Sequence, residues 1–245
     1  MIKKFLSASI ALKMDGATIP RSPSTSVGNY LKAIWEATED EGAASTKQVA
    51  DRLSVNPASV TNMFARLREM GLVEYERYRG ASLTEEGLSE ALRLVRRHRL
   101  IETFLLDQLG YSWEDVHDEA EKLEHAVSDR FTERLAELLG HPDYDPHGDP
   151  IPAVDGTLEQ DGSFPLPAAA VGQRVIIARV GHETTPLLTY LGERGLVPGR
   201  VLTVEEVRTL DGVITIADED GTTHSLGAPL ADALFVRGAP RYDAE

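Results

Sequence analysis

The tetrapeptide S-V-N-P at residues 54–57 constrains the fold most, because it ends one helical segment and begins another within four residues. Asn56 is a favourable N-cap, and Pro57 at the first helical position loses no backbone hydrogen bond. The segment before the turn, T-K-Q-V-A-D-R-L, follows the capping residue Ser45, and the segment after it stops at Gly71. The sequence therefore predicts two helices joined by a short turn.

The neighbouring segments extend this pair of helices. Apolar residues recur at helical spacing from residue 27, which predicts a first helix there. The β-like runs L-V-E-Y-E-R-Y and A-S-L-T are joined through Arg79-Gly80, which indicates a hairpin. Helix, short helix, turn, helix and hairpin in this order predict a winged helix-turn-helix. The apolar residues of the first helix are Val27, Tyr30, Leu31, Ile34 and Trp35.

A helical region follows. Thr84 and the E-E-G after it cap a long helix that runs to about Leu109, and a second helix is predicted over residues 116–139. The two helices carry more apolar surface than they can bury against each other, so we expect a homodimer with a two-fold contact. The apolar residues are Phe104, Leu105, Leu109, Trp113, Val116, Leu123, Ala126, Val127, Phe131, Leu135, Leu138 and Leu139.

The C-terminal part is rich in short β-like runs. A Pro-, Gly- and Asp-rich stretch over residues 141–167 separates it from the helices. The runs are R-V-I-I-A-R-V, G-R-V-L-T-V-E-E-V, V-I-T-I-A and F-V-R, with Gly at the turns. This pattern favours a small SH3-like barrel. The predicted fold class is therefore mainly α with a small β domain.

Composition excludes several classes of protein. No run of 18 or more apolar residues is present, so we expect neither a transmembrane helix nor a membrane partner. The start of the chain faintly resembles a signal peptide. Because Lys13 interrupts its short apolar core and no small-x-small site follows, we do not expect export. The absence of cysteine excludes a disulfide scaffold and fits a cytoplasmic protein.

The charge is distributed unevenly along the chain. The net charge is −15, which argues against bulk affinity for nucleic acid. Residues 1–100 carry 15 Lys and Arg against 12 Asp and Glu, whereas residues 101–245 carry 10 against 28. The first part can therefore approach an anion, and the second part would repel an anion and attract cations.

The second helix of a helix-turn-helix presents its first residues to base edges in the major groove. Asn62 can read adenine, and Ser59 and Thr61 can contact phosphate or the thymine methyl group. The interpretation that competes with DNA binding is a helix-turn-helix used as a dimer or partner scaffold. The candidate base-facing residues are Pro57, Ala58, Ser59, Thr61 and Asn62.

Basic residues around this helix are candidate phosphate contacts. Glu69, Glu74 and Glu76 are interspersed among them, so the basic patch is thin. We therefore expect modest non-specific affinity and a strong dependence on dimer geometry. The candidate phosphate contacts are Lys47, Arg66, Arg68, Arg77 and Arg79.

The stretch V-H-D-E-A-E-K-L-E-H at residues 116–125 concentrates potential metal ligands. Its two histidines and two of its glutamates lie at i, i+4, i+7 and i+8, which places them on one face of a helix. Imidazole and carboxylate suit Mn, Fe, Co, Ni or Zn, and the absence of thiolate removes the strongest preference for Zn or an Fe–S cluster. The alternative is a solvated charged face. The four residues are His117, Glu121, Glu124 and His125.

A second, weaker motif lies on the preceding helix. In H-R-L-I-E, His98 and Glu102 are four residues apart and therefore on one face. Such pairs are common by chance, but this pair lies between the winged helix-turn-helix and the His117 stretch. The two helices together could hold two metal ions in one wall of a helical bundle.

Taken together, these stretches resemble the metal-dependent repressors of the diphtheria toxin repressor and manganese transport regulator family. The resemblance covers residues 26 to about 154, and the C-terminal part resembles the SH3-like (FeoA-like) domain of that family by position and strand pattern. It implies a metal-activated homodimer that binds a double-stranded DNA operator and takes no small organic substrate. The stretches that carry it are Y-L-K-A-I-W, V-N-P-A-S-V-T-N-M, E-Y-E-R-Y-R-G-A-S-L-T-E-E-G, H-R-L-I-E-T-F-L, V-H-D-E-A-E-K-L-E-H and H-G-D-P-I-P.

The resemblance also implies two sets of metal ligands. The primary, DNA-activating site maps onto Asn29, Glu121, Glu124 and His125. The ancillary site maps onto His98, Glu102 and His117, often with an oxygen ligand from the SH3-like domain. His182 and Glu183, in G-H-E-T-T, are the candidates for that ligand, and the alternative is that both are ordinary exposed loop residues.

Two positions bear on the identity of the metal. Iron-type members of the family carry Cys or Met in the primary site, whereas Glu121 occupies the place of the Cys here. A shell of oxygen and nitrogen favours Mn(II). Asn29 stands where manganese-type members commonly place Asp, and its neutral carbonyl oxygen should weaken the site. We therefore expect Mn(II), with Fe(II) as the alternative.

The predicted domains are a mobile tail at 1–26, a DNA-binding domain at 27–95, a metal-binding and dimerisation domain at 96–154, a linker at 155–167 and an SH3-like domain at 168–240. We expect a repressor of metal-uptake genes. One rival function is a dinuclear metallohydrolase, but no separate nucleophile or general-base motif is present. Another is a winged-helix regulator that does not respond to metal.

Overall fold

The computed structural model describes residues 24–159, 161–181, 184–208 and 210–239. Most of the tail expected at residues 1–26 lies outside this part of the chain. The chain divides into two units. The first consists of Met1–His98, Glu124–Ala126 and Pro152–Leu158, and the second of Arg99–Leu123, Val127–Ile151 and Glu159–Glu245.

The first unit contains the predicted winged helix-turn-helix. The predicted caps form, since the hydroxyl of Ser45 accepts a hydrogen bond from the backbone of Gln48 and the side chain of Asn56 accepts one from that of Ala58. Strands β1 and β2 pair antiparallel as a short wing. The winged helix-turn-helix prediction is therefore confirmed. The elements are α1 (Thr25–Glu41), α2 (Thr46–Leu53), α3 (Pro57–Glu69), β1 (Val73–Glu76) and β2 (Gly80–Leu83).

One hydrophobic core holds these elements together. Leu31 and Ile34 of α1 and Phe64 of α3 are fully buried in it, and the ring of Phe64 lies 5.3 Å from that of Tyr75 in β1. Gly87 allows the residue before β1 to approach the next helix, because a Cβ there would lie 1.9 Å from the carbonyl oxygen of Leu72. Helix α3, which carries the predicted DNA-facing residues and is called the recognition helix, is therefore fixed by a close-packed core.

Helix α4 (Glu85–Leu109) is the predicted long helix, and the hydroxyl of Thr84 caps it by accepting a hydrogen bond from the backbone of Gly87. The single helix predicted over residues 116–139 is wrong. The chain forms α5 (Val116–Leu123) and α6 (Asp129–Leu138) instead, because Ser128 caps a new helix through the backbone N–H of Phe131. Glu124 and His125 therefore lie in a turn and not on the helical face that carries His117.

The helical part of the second unit has its own apolar core, which includes Leu100, Leu105, Val116 and Leu135. Other large apolar side chains in the same helices remain exposed. They are Leu109, Phe131 and Leu138. This is the distribution that the sequence led us to expect of a dimerising surface.

The rest of the second unit is built on an antiparallel sheet of six strands in the order β3-β8-β4-β5-β6-β7. Strands β3 and β7 end this order and do not pair with each other in the described residues, so a closed SH3-like barrel stays a prediction. Two helices, α7 and α8, accompany the sheet. The bounds are β3 (Phe164–Pro165), β4 (Arg174–Val180), α7 (Thr185–Gly192), β5 (Val201–Arg208), β6 (Val213–Asp218), β7 (Thr223–Leu226), α8 (Ala228–Ala233) and β8 (Leu234–Gly238).

Within this unit, the loop at residues 145–149 lies against β4. The backbone N–H of Val180 donates to the carbonyl oxygen of His147 over 2.9 Å. Gly148 has a φ of 89°, and a Cβ there would lie 2.0 Å from the carbonyl oxygen of Ala178. Only glycine permits this close approach. Among the described residues, no helix is long and apolar enough to cross a membrane.

Candidate metal centre

Glu124 is the centre of a group of polar side chains in the first unit. Its side chain is buried, and Oε2 lies 2.6 Å from Nδ1 of His98 and 3.4 Å from Nζ of Lys32. The other oxygen, Oε1, lies 3.3 Å from Nε2 of His125. Nε2 of His125 is also 2.5 Å from Oδ1 of Asn29. We call these five residues the Glu124 cluster.

Three segments of the chain build the Glu124 cluster. Helix α1 contributes Asn29 and Lys32, which are one turn apart and therefore on one face. Helix α4 contributes His98, and the turn after α5 contributes Glu124 and His125. The absence of a side chain at Gly28 lets the ring of His125 approach α1, because a Cβ there would lie 3.1 Å from Cε1 of His125.

The donor atoms of this cluster fit a divalent cation. Nε2 of His125 faces oxygens of both Asn29 and Glu124, and a single N–H cannot make two full-strength hydrogen bonds. An amide oxygen, an imidazole nitrogen and a carboxylate oxygen around one position are the ligand types that Mn(II) and Fe(II) accept. The residues present are therefore suited to hold such an ion.

The electrostatics of Glu124 also suit this role. Burial raises the pKa of its carboxyl group, but the hydrogen bond from His98 and the positive charge of Lys32 outweigh burial, and the pKa is lower than usual. The carboxylate is therefore ionised at neutral pH. An ionised carboxylate is the form that binds a metal ion.

A second group lies around Glu102 in the second unit. Glu102 is buried, with Oε1 3.0 Å from Nδ1 of His117 and Oε2 3.8 Å from Nδ1 of His147. Ligand atoms of Glu102, Asp145 and His147 all lie within 4.8 Å of one another, and all three residues are buried. We call Glu102, His117, Asp145 and His147 the Glu102 cluster.

The hydrogen bond of the His147 ring determines which of its nitrogens can face a cation. Nε2 of His147 lies 3.0 Å from the carbonyl oxygen of Trp113, and a carbonyl only accepts, so Nε2 carries the hydrogen. In the neutral ring, Nδ1 then presents a lone pair towards the carboxylate of Glu102. That arrangement is favourable when a proton or a metal ion lies between the two groups.

Asp145 shapes the loop that carries His147. Its Oδ1 accepts hydrogen bonds from the backbone N–H groups of His147 and Asp149, each over 2.9 Å. Its Oδ2 lies 3.4 Å from Nε of Arg99, and Arg99 also pairs with Asp149 at 3.3 Å. The loop is therefore fixed by charge pairs as well as by its contact with β4.

Asp145 and His147 were not among the ligands that the sequence suggested. His147 lies in H-G-D-P-I-P, which carried the family resemblance, and Asp145 is two residues before it. An Asp and a His at this spacing in a loop are a weak signal. They reach Glu102 through tertiary contacts of the loop, with Arg99, Trp113 and β4.

The other predicted ligands are distributed over α4, α5 and residues outside the described part of the chain. His98 and Glu102 are one turn apart on α4 and belong to different units. Glu121, on α5, is exposed, and its carboxylate lies 3.8 Å from Nε2 of His117. His182 and Glu183 lie outside the described residues. The division of these residues into a primary and an ancillary site stays a prediction.

The predicted DNA-facing residues lie at the exposed start of α3. Pro57, Ala58, Ser59 and Asn62 are exposed there, and the hydroxyl of Thr61 donates to the carbonyl oxygen of Pro57 over 3.1 Å. The basic residues predicted to contact phosphate are also exposed, and Arg79 of the wing forms an ion pair with Glu76 at 3.1 Å. They are Lys47, Arg66, Arg68, Arg77 and Arg79.

Three family models match the chain. The N-terminal DNA-binding domain of iron-dependent repressors matches residues 24–81, and their metal-binding and dimerisation domain matches residues 84–153. The FeoA domain matches residues 164–238. Together the three matches extend over both units of the structure, and two of the three describe iron-dependent repressors.

Individual relatives agree with these models. The iron-dependent repressor IdeR of Mycobacterium tuberculosis is 32% identical over 220 residues, which are 84% of this chain and 94% of IdeR. A manganese-dependent transcriptional repressor solved in complex with manganese is 41% identical, with a TM-score of 0.83 over 87% of this chain and all of that chain. ScaR with bound Zn²⁺ is 35% identical, with a TM-score of 0.77 over 87% of this chain and 99% of that chain. The chain therefore belongs to the iron-dependent repressor family of metal-dependent, DNA-binding transcriptional regulators, which are not enzymes.

Proposed function

We propose that the protein is a Mn(II)-activated repressor of metal-uptake genes. The observation that carries this proposal is the position of the Glu124 cluster. Asn29 belongs to the first helix of the DNA-binding fold, and its amide oxygen meets His125 of the turn after α5. The ligand set of oxygen and nitrogen atoms without sulfur favours Mn(II), and Fe(II) is the alternative.

The cluster can regulate DNA binding because its ligands come from elements with different roles. Asn29, Glu124 and His125 would hold an ion bound there, and the ion would join α1 to the turn after α5 in one fixed arrangement. Helix α1 packs against α2 and α3 in a single core. The two recognition helices of a dimer are then held near one turn of DNA apart. A coupling of about 1–3 kcal/mol is enough for a usable switch.

We place a second ion at the Glu102 cluster. The resemblance to the family implies His98, Glu102 and His117 as ligands, and the geometry of the second unit adds Asp145 and His147 to the candidates. Because the loop that carries Asp145 and His147 lies against β4, an ion here would stabilise the C-terminal part. We also propose that this part closes into an SH3-like barrel.

The remaining elements of the proposal concern assembly and location. The match to a metal-binding and dimerisation domain over residues 84–153 supports a homodimer, and the exposed side chains of Leu109, Phe131 and Leu138 within it are available for a two-fold contact. A double-stranded operator is the partner of the recognition helices. The proposed action on DNA implies a cytoplasmic location.

The test is fluorescence anisotropy of labelled DNA from the upstream region of the protein's own gene, at a fixed salt concentration. The purified protein is titrated first with a chelator and then with Mn(II), Fe(II) or Zn(II). We expect tight binding only with metal, and strongest activation by Mn(II). Binding that a chelator leaves unchanged would contradict metal activation, and stronger activation by Fe(II) would favour the alternative.

A further inference from the structure

Lys32 places a positive charge inside the Glu124 cluster. Its Nζ lies 3.4 Å from Oε2 of Glu124, and the exposed fractions of the two side chains are 12% and 3%. The same oxygen lies 2.6 Å from Nδ1 of His98, whereas Oε1 faces Nε2 of His125 at 3.3 Å. The carboxylate of Glu124 therefore meets a fixed cation at one oxygen and a candidate metal ligand at the other.

This position gives Lys32 two opposite effects. In the protein without metal, the ammonium group compensates the buried carboxylate, which would otherwise be costly. When a divalent cation binds to the same carboxylate, the ammonium group and the ion repel each other at short range. The side chain that stabilises the metal-free protein therefore opposes the metal-bound one.

The net charge of the cluster makes this effect important. Asn29 contributes a neutral oxygen, so the described cluster has one carboxylate, Glu124, and one ammonium group, Lys32. Their charges cancel before any metal ion arrives. A divalent ion then gains little from the net charge of the cluster and depends mainly on the direct contacts of its ligands.

We propose that Lys32 is a resident counter-ion that lowers the affinity of the Glu124 cluster for divalent metal and so sets the metal concentration at which the repressor is activated. This inference rests on the proposed function, because it assumes that the Glu124 cluster binds the activating ion. A lysine with only a structural role makes a different prediction. Its loss would destabilise the protein and leave metal affinity unchanged or weaker.

The test replaces the charge and keeps the aliphatic stem, as in Lys32→Met. Isothermal titration of the metal-free full-length protein with Mn(II), in competition with a chelator, measures the affinity. We expect the Glu124 cluster of Lys32→Met to bind Mn(II) about tenfold more tightly than that of the wild type, with the affinity of the Glu102 cluster unchanged. Its Tm without metal should fall, and its increase in Tm with Mn(II) should exceed that of the wild type. Mn(II) binding that is equal or weaker would overturn the proposal.

Two further variants separate the effect of the local charge from that of net charge. Lys32→Arg keeps the charge and should stay within about threefold of the wild type. Arg52→Gln removes another cation, paired with Glu36 of α1 at 3.3 Å, and should leave Mn(II) affinity unchanged. If Arg52→Gln tightens binding as much as Lys32→Met does, the effect comes from net charge and the assignment to Lys32 is wrong.

Glu124→Gln distinguishes failure of this inference from failure of the proposed function. Loss of the carboxylate should weaken Mn(II) binding strongly. If Glu124→Gln leaves Mn(II) binding unchanged, the metal lies elsewhere and the proposed function itself needs revision. If Glu124→Gln weakens binding and Lys32→Met does not tighten it, the proposed function stands and only the role of Lys32 is wrong. Lys32→Gln also removes the charge of Lys32 and should tighten Mn(II) binding as Lys32→Met does.

Discussion

The Glu124 cluster and the Glu102 cluster use the same types of residue but belong to different parts of the molecule. Each has a buried glutamate within reach of two histidine rings. The Glu124 cluster includes Asn29 from the first helix of the DNA-binding fold. The Glu102 cluster includes a loop that lies against the C-terminal sheet. What a bound ion could regulate would therefore depend more on the element that supplies the ligands than on their chemical type.

The two clusters also differ in charge. In the Glu124 cluster, Lys32 balances the single carboxylate. The Glu102 cluster has two buried carboxylates, Glu102 and Asp145, and Arg99 approaches the second of these at 3.4 Å. A site with more carboxylate charge holds a divalent ion more firmly. We therefore expect the Glu102 cluster to stay filled at metal concentrations where the Glu124 cluster empties.

The largest effect should follow from Glu124→Ala. The substitution removes the carboxylate on which His98, His125 and Lys32 converge, so α1 can no longer be joined to the turn through an ion. We expect operator affinity in the presence of Mn(II) to fall to the non-specific level, about 1,000-fold or more. Anisotropy of labelled operator DNA measures the change, and sedimentation should show that the dimer remains.

Glu124→Gln serves as the milder variant, because it keeps the size of the side chain. If Glu124→Ala retains DNA binding with the metal dependence of the wild type, then the Glu124 cluster is not the regulatory site. The Glu102 cluster would then be the candidate for regulation.

Helix boundaries near these clusters could be predicted from the sequence where a capping residue marks them. Ser45, Asn56 and Thr84 cap helices because their side chains accept hydrogen bonds from backbone N–H groups two or three residues later. The break between α5 and α6 was missed, because the apolar stripe continues through Ala126 and Val127 without glycine or proline. The signal for it was Ser128, a favourable N-cap within a pattern that otherwise suits a helix.

The second largest effect should come from Gly148→Ala. A Cβ at this position would lie 2.0 Å from the carbonyl oxygen of Ala178, and its φ of 89° disfavours any residue with a side chain. The loop with Asp145 and His147 would have to leave β4, which should cost about 3 kcal/mol of unfolding free energy. Denaturant unfolding measures this cost, and the melting temperature should depend less on Mn(II).

Gly140→Ala is the matched control for Gly148→Ala. Gly140 also has a positive φ, of 76°, but an added Cβ would have no atom of the described residues within 4 Å. The control therefore contains the backbone strain without the clash. Equal destabilisation by the two variants would mean that the close approach to β4 contributes nothing.

The candidate site was only partly predictable, for a physical reason. Glu124 and His125 were indicated by their spacing in the sequence, and the family resemblance supplied Asn29 and the division into two sites. The contact of His147 with Glu102 depends on how its loop packs against Arg99, Trp113 and β4, and these tertiary contacts have no local pattern. The pairing of Lys32 with Glu124 was missed for a similar reason, since a lysine on an amphipathic helix is usually solvated.

A smaller effect on DNA binding should follow from a substitution in the Glu102 cluster, which tests whether the two clusters act independently. Glu102→Gln keeps the shape of the side chain and removes its charge, which both His117 and His147 approach. We expect the number of Mn(II) ions bound per chain to fall from two to one, with operator affinity at saturating Mn(II) within about threefold of the wild type. Native mass spectrometry gives the stoichiometry. Loss of operator binding as complete as that of Glu124→Ala would show that the two clusters act as one site.

The smallest effect, and the most specific, should come from Gly28→Ala. Alanine favours a helix over glycine by up to about 1 kcal/mol, so α1 itself should not be weakened. The added Cβ would lie 3.1 Å from Cε1 of His125 and 3.1 Å from Cδ2 of Leu94, so the His125 ring or the Leu94 side chain must shift slightly. Stability without metal should therefore stay equal or rise while Mn(II) affinity at the Glu124 cluster falls about fivefold. Titration calorimetry and thermal unfolding of one preparation measure both quantities, with the ion at the Glu102 cluster as the internal reference. A parallel fall in both would indicate general damage to the core, and unchanged Mn(II) affinity would mean that the closeness of His125 to α1 is not needed for binding.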